Sequence, residues 1–460
     1  MIGDTNTVSI TRGTASGAVT GGSNTGGLVG SYNTSGTISD SQASGNVVGG
    51  TSAGGLVGYG SGTYLNVQAS GSVTGITNVG GLIGSLYSGG TVTNALATGN
   101  VVASGNYAGG LIGTWQYSAG ITDSRATGNV STSFTNGYAG GLVGYAFGYS
   151  STVAISNSSA AGNVSGGVYA GGLVGVAYDT QIARGTATGS VTTSNDSSVY
   201  AGGLVGYFLD YYYSGHQISN SSATGNVTVD AASARAGGLV GNFTASSISA
   251  STASGSVTAK DSLNANNSSN QIGGLVGSFS GASISDSAAS GSVSSGYYAG
   301  GLVGNYNGSS PLSNSSATGN VVGTQYVGGL VGYHTNAGIT NGFASGQVSG
   351  SAAAYTGGLV GFAYVYAAAN LAGINDSRAT GNVTGGSYVG GLIGFIQDYN
   401  SAAGTVSGIS NSRASGNVSG SSIAGGLVGY YTGGYASVTG GISNSSASGN
   451  VRTSKDRRAG

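Results

Sequence analysis

The pentapeptide Gly-Gly-Leu-Val-Gly, with Val or Ile in fourth place, stands fourteen times in this chain of 460 residues. Its leucines fall at positions 28, 56, 82, 111, 142, 173, 204, 239, 275, 302, 330, 359, 392 and 427, at intervals of 26 to 36 residues. A period of that length is the signature of stacked supersecondary units. One such unit cannot bury its apolar face alone, so its neighbours must supply the core.

A second phrase, Ala-Ser/Thr/Ala-Gly-Xaa-Val, occurs fifteen times and ends at Val19, Val47, Val73, Val101, Val130 and onward to Val451. Nine residues before each of these valines stands Ile, Leu or Val, with Tyr64 as the exception. That arc keeps its length throughout, whereas the other two vary. The span from Val to the next Leu is usually nine residues but reaches eighteen between Val257 and Leu275. The span from Leu to the next Ile lengthens to fourteen after Leu204, and to fifteen, seventeen and fifteen after Leu359, Leu392 and Leu427. Insertions of this kind belong in surface loops, where added length carries a small entropic cost.

The segments between glycines are short, rich in Val, Ile, Thr and Tyr, and punctuated by Gly and Asn, which reads as strand. Helix is excluded because glycine costs about 1 kcal/mol per helical position relative to Ala, and the chain holds 95 glycines. In Ala126-Thr127-Gly128-Asn129-Val130 the alternation places Ala, Gly and Val on one face and Thr and Asn on the other. The expected fold is all-β, a parallel β-solenoid (β-helix) of about 14 stacked rungs, roughly 31 residues and three short strands per rung. It should run as a single continuous domain over residues 1–451, followed by a basic tail, 452–460, with Arg452, Lys455, Arg457 and Arg458.

The residue two after each Ile is Asn at eight of fifteen positions and Asp at four, at Asp40, Asp123, Asp286 and Asp376. Both side chains can hold a local turn by bonding to nearby backbone, and stacked Asn can bond amide to amide from rung to rung. A calcium site is the alternative, but repeat calcium loops need a Gly-Gly-Xaa-Gly-Xaa-Asp pattern that is absent.

In phase along residues 8 to 451, these two phrases resemble the GLUG-motif repeats of large secreted bacterial proteins. The resemblance implies a β-solenoid stalk, a surface or extracellular location, and a role in adhesin-like or peptidase-associated proteins. It implies no catalytic residues within the repeats.

Composition narrows the function further. A Gly/Ser-rich chain can be a flexible linker, but 38% hydrophobic residues at fixed positions oppose disorder. Charged residues make up 5% and every acidic residue is Asp. With a net charge of −1 and no basic cluster before the tail, nucleic acid is not expected as a partner, since phosphate contacts need clustered Lys or Arg. The lack of Cys excludes disulfides and thiol chemistry. No apolar run approaches the ~20 residues of a spanning helix, and Met1-Ile-Gly-Asp lacks the features of a secretory signal.

The scarce charges offer little chemistry. His216 and His334 fall about four rungs apart, roughly 19 Å at the strand spacing, too far to share a metal. Asp210 and His216 share the long loop after Leu204 with Tyr211, Tyr212 and Tyr213, where a solvated loop is expected rather than a catalytic pair. No catalytic, cofactor or metal residue is expected. Tyrosine stands two residues before the Gly pair in eight of fourteen repeats, an arrangement expected to stack along the solenoid. Tyr364, Tyr366, Tyr399, Tyr430, Tyr431 and Tyr435 fall instead in the three long spans near the end and are expected at inserted or loop positions. Projected together, they would form a tyrosine-rich patch suited to a cell-surface protein or glycan. The leading expectation is a non-enzymatic extracellular structural or adhesive solenoid. The alternatives are a fibre subunit stacking end to end on itself, suggested by termini without a recognisable polar cap, and an ice-binding solenoid using its outward Thr/Ser and Asn/Ser columns.

Overall fold

The computed structural model describes residues 8–454, apart from 118, 149–153, 261–268, 295–296, 336, 353, 366–372, 399–407 and 434–440. Its first turn contains β1 (Ile10–Thr11), β2 (Thr14–Ala15), β3 (Val19–Thr20), β4 (Asn24–Gly26) and β5 (Val29–Tyr32). Later turns repeat this set, and every strand pairs in parallel with its equivalent one turn away, as Ile10 does with Ile38 and Val19 with Val47. The fold is an all-β parallel β-solenoid of about 13 turns and roughly 30 residues per turn, without α-helix among the described residues. Most turns carry five strand segments rather than three. Several are only two residues long, as Gln68–Ala69 is, too short to leave a periodic signal.

The chain divides into two compact units, residues 1–195 with 199–226, and residues 196–198 with 227–460. In the first, β1-type strands run from Ile10–Thr11 to Gln217–Ser219, and alanines stack in register at the β2 position as Ala43, Ala69, Ala97 and Ala126. In the second, Val257, Val293, Val321, Val348 and Val383 continue one register at the β3 position. Among the described residues the β3 and β4 positions fuse in two turns, into Val191–Gly202 and Val227–Gly237. Arg452, expected in the tail, lies in the strand Val451–Thr453, in register with Ser419.

The corner after β1 is built by the residue two beyond each Ile. All fifteen of these residues, Asp40, Asn66, Asn94 and Asn444 among them, have φ between 46° and 56°. Asn and Asp tolerate this left-handed conformation better than other non-glycine residues. Their amides also form the expected ladder: Asn66 Nδ2 donates to Asp40 Oδ1 at 3.0 Å, and Asn94 Nδ2 to Asn66 Oδ1 at 2.8 Å. Arg12, Arg184 and Ala250 hold the same conformation without that tolerance, at roughly 1–3 kcal/mol each.

One residue further on, a serine stands at ten of fifteen positions. Ser124 is buried, donates its hydroxyl to the Thr122 carbonyl at 2.8 Å, and accepts the Ala95 amide of the preceding turn at 3.2 Å. Its own amide donates to Ser158 Oγ of the next turn at 3.2 Å. This buried serine ladder gives the corner amides acceptors that the strands do not provide.

The recurring pentapeptide is the corner between β4 and β5. The amides of Leu142 and Val143 both donate to the carbonyl of Leu173 in the next turn, at 2.8 and 3.0 Å. A Cβ on Gly141 would overlap the carbonyl oxygen of Gly172, and one on Gly140 the carbonyl oxygen of Val143. The glycines therefore answer to close approach of backbone rather than to a left-handed φ. Leu142 and Val143 fill the core behind them, fully buried. Tyr64, the exception in the β1 column, is also fully buried, and Gly60 leaves the space its hydroxyl occupies.

Candidate functional site

Alternation along β4 and β5 decides which aromatic rings leave the core. In Tyr138–Gly140 and Val143–Phe147, Ala139 and Ala146 are buried, so Tyr138, Tyr145 and Phe147 sit on the outward side of the strands. In the first unit the β4 tyrosines Tyr107, Tyr138, Tyr169 and Tyr200 form a row with ring centroids 5.0, 4.7 and 5.0 Å apart. The β5 rings meet them edge-on, Tyr145 against Tyr138 at 88° and Tyr207 against Tyr200 at 88°. Phe147 and Tyr178 extend this surface sideways.

The span after Leu204 is attached to the same surface by Asp179, a residue of the preceding turn. Its fully buried carboxylate accepts the backbone amides of Tyr211, Tyr212 and Tyr213 at 2.7 to 3.2 Å. Tyr211 thereby lies against Tyr178 and Tyr212 against Phe147, with centroids 6.0 and 5.9 Å apart, while both remain about three-fifths exposed at 62% and 61%. Asp210 accepts the Gly215 amide at 3.0 Å and contacts His216 Nδ1 at 2.7 Å. The expected solvated loop is thus folded, and His216 is buried. Asp179, Asp210 and His216 offer ligand atoms within 4.8 Å of one another, but Asp179 already serves as the acceptor that shapes the tyrosine turn.

In the second unit the outward β4 row is Tyr298, Tyr326, Tyr355 and Tyr388, with centroids 5.1, 5.4 and 5.3 Å apart and planes within 16°, 8° and 4°. Beside it runs a β5 row, Tyr333, Phe362, Phe395 and Tyr430, spaced 5.3, 5.2 and 5.2 Å. The rows meet edge to face, as at Tyr355 and Phe395, 80°, the arrangement favoured by the ring quadrupole. On the inward side Phe243, Phe279 and Tyr306 stack nearly parallel, and His334 follows them at 5.5 Å. Among the described residues neither ring nitrogen of His334 reaches a hydrogen-bond partner, and burial lowers its pKa to about 4.

Of the six tyrosines expected to form one patch, Tyr366, Tyr399 and Tyr435 lie outside the described residues. The other three lie on strands rather than in loops, because the β5 strands extend into the long spans as Val360–Val365 and Val428–Gly433. Tyr430 continues the outward row after Phe395. Tyr364 takes the next outward position and stacks on Phe362 at 6.3 Å. Tyr431 takes the register of Ile396 and Ala363, which belongs to the inward column, and so does not share their side of the strand. Sequence reading passed over the surface around Tyr211 and Tyr212, because the contact that holds it comes from Asp179, one turn earlier in the chain.

Among the described residues no helix is long and apolar enough to cross a membrane. No curated protein and no solved structure matches the chain. Residues 323–349, which include Gly328-Gly329-Leu330-Val331-Gly332 and the following turn to β3, match the family model of the GLUG motif, and the chain is thus a β-solenoid carrying that motif.

Proposed function

We propose that this chain is a non-enzymatic structural and adhesive solenoid that works outside the cell, and that its outward aromatic face is the surface offered to a partner protein or glycan. The GLUG motif supports the structural and extracellular parts of this reading. The observation that carries the adhesive part is the exposure of Tyr211 and Tyr212, lifted by the Asp179 contacts above a continuous aromatic surface. Tyrosine brings a large apolar ring, a hydroxyl and little side-chain entropy to lose, which favours it at recognition surfaces. Many polar side chains elsewhere are engaged between turns. Asn100 and Asn129, for example, accept the amides of Asn129 and Asn163 at 2.9 Å, which leaves few groups for acid–base work.

The test replaces Tyr211 and Tyr212 together by Ser and measures attachment to cells and to a glycan array beside the melting temperature. Weaker attachment with unchanged melting is the expected result. Equal attachment would move the adhesive surface elsewhere, and a parallel variant at Tyr366, Tyr399 and Tyr435 asks whether the long spans contribute.

A further inference from the structure

The outward tyrosine rows have a chemical capacity separate from adhesion. The chain has no Cys and only two lysines, Lys260 and Lys455, against 29 tyrosines. Disulfides are therefore closed to it, and isopeptide links nearly so. In the second unit Tyr298, Tyr326, Tyr355 and Tyr388 stand one per turn, half-buried, with planes nearly parallel and centroids 5.1 to 5.4 Å apart. In the first unit Tyr138, Tyr169 and Tyr200 repeat the arrangement at 4.7 and 5.0 Å. A group held this close to its reaction partner meets it far more often than one diffusing in solution.

We propose that these rows are sites of oxidative coupling, in which tyrosines of adjacent turns, Tyr355 and Tyr388 foremost, are joined as dityrosine. Each phenol loses one electron and its phenolic proton, and the two radicals form a carbon–carbon bond between positions ortho to the oxygens. The ring hydrogens at those carbons leave as protons and the phenol oxygens are reprotonated, so each tyrosine loses one hydrogen overall. The oxidant is hydrogen peroxide turned over by a haem peroxidase. It takes both electrons and both protons and becomes two molecules of water. The product is a covalent link between turns that are otherwise joined by hydrogen bonds and packing. Tyr64 and Tyr306, fully buried, lie apart from this chemistry.

The experiment treats the dilute, purified full chain with peroxide and a haem peroxidase and maps tryptic peptides by mass spectrometry. Cleavage after Lys260, Arg378 and Arg413 places Tyr355 in peptide 261–378 and Tyr388 in peptide 379–413. The expected result is these two peptides covalently joined, lighter than their sum by two hydrogens, with fragmentation placing the bond at Tyr355 and Tyr388. Tyr388→Phe and Tyr355→Phe keep a ring in the stack, and each should lose the joined pair while melting as the parent does. The proposal is overturned if the parent yields no joined pair, if the pair persists in Tyr388→Phe, or if coupling occurs only between chains, seen as covalent dimers on a denaturing gel.

Discussion

The nine-residue arc from β1 to β3 and the β5 side of the same turns follow opposite rules. In the arc, each residue meets the same position one turn away: Asn66 on Asp40, Ser124 on Ser158, Ala126 on Ala97. An added residue would put every one of these partners out of step, so the arc has one length in all fifteen copies. On the β5 side the inward position accepts Gly60, Leu86, Trp115, Ala146, Ala177 and Phe208 in successive turns, a range from no side chain to the largest. Size there is balanced within a turn, as Gly60 makes room for Tyr64. Side-chain hydrogen bonding between turns therefore enforces length, whereas apolar packing enforces only volume, and the tolerant side carries the insertions and the exposed rings.

The strongest way to break this contrast is to insert one residue between Ser124 and Arg125. Ala126, Gly128 and Val130 would change faces, and the loss in urea unfolding should be at least the ~2–5 kcal/mol of truncating one buried leucine. The same insertion on the β5 side, between the exposed Tyr213 and Ser214, should cost less than about 1 kcal/mol. Comparable losses at the two sites would end the distinction.

Acid probes the tolerant side next. Because burial holds His334 at about 4 rather than 6.5, the folded protein binds fewer protons than the unfolded chain between these values. The stabilisation is fully present above about pH 6.5 and disappears as pH falls towards 4, amounting to about 3 kcal/mol. Unfolding midpoints measured across this range should fall, and His334→Phe, which extends the Phe243–Phe279–Tyr306 stack, should flatten the dependence.

Within the arc, Ser124→Ala leaves the buried Ala95 amide without its acceptor and should cost about 1–3 kcal/mol. The exposed Ser165→Ala should stay within about 0.5 kcal/mol, and equal effects would mean that the serine ladder contributes nothing. The paired Tyr211→Ser and Tyr212→Ser change should also be small, no more than about 1 kcal/mol in stability. A much larger loss would make these rings scaffold rather than surface.

Local rules made much of the molecule legible from residues alone. The inward Ala, Gly and Val of Ala126–Val130 follow from strand alternation, and the left-handed corner at Asn66 or Asp123 from the backbone tolerance of those side chains. The parallel class follows from the period, since a single turn has no core. Three features required the tertiary structure. Five strands per turn emerge only when two-residue segments such as Gln68–Ala69 find their neighbours in adjacent turns. Tyr431 falls in the inward register and Tyr430 in the outward one because β5 runs on into a span that reads as a loop. The tyrosine turn at 211–213 is held by Asp179, some thirty residues earlier in the chain. Alternation and backbone preference act between adjacent residues and are written in the sequence. Register and capping act between turns, and the partner a side chain meets there depends on how the intervening residues close the turn.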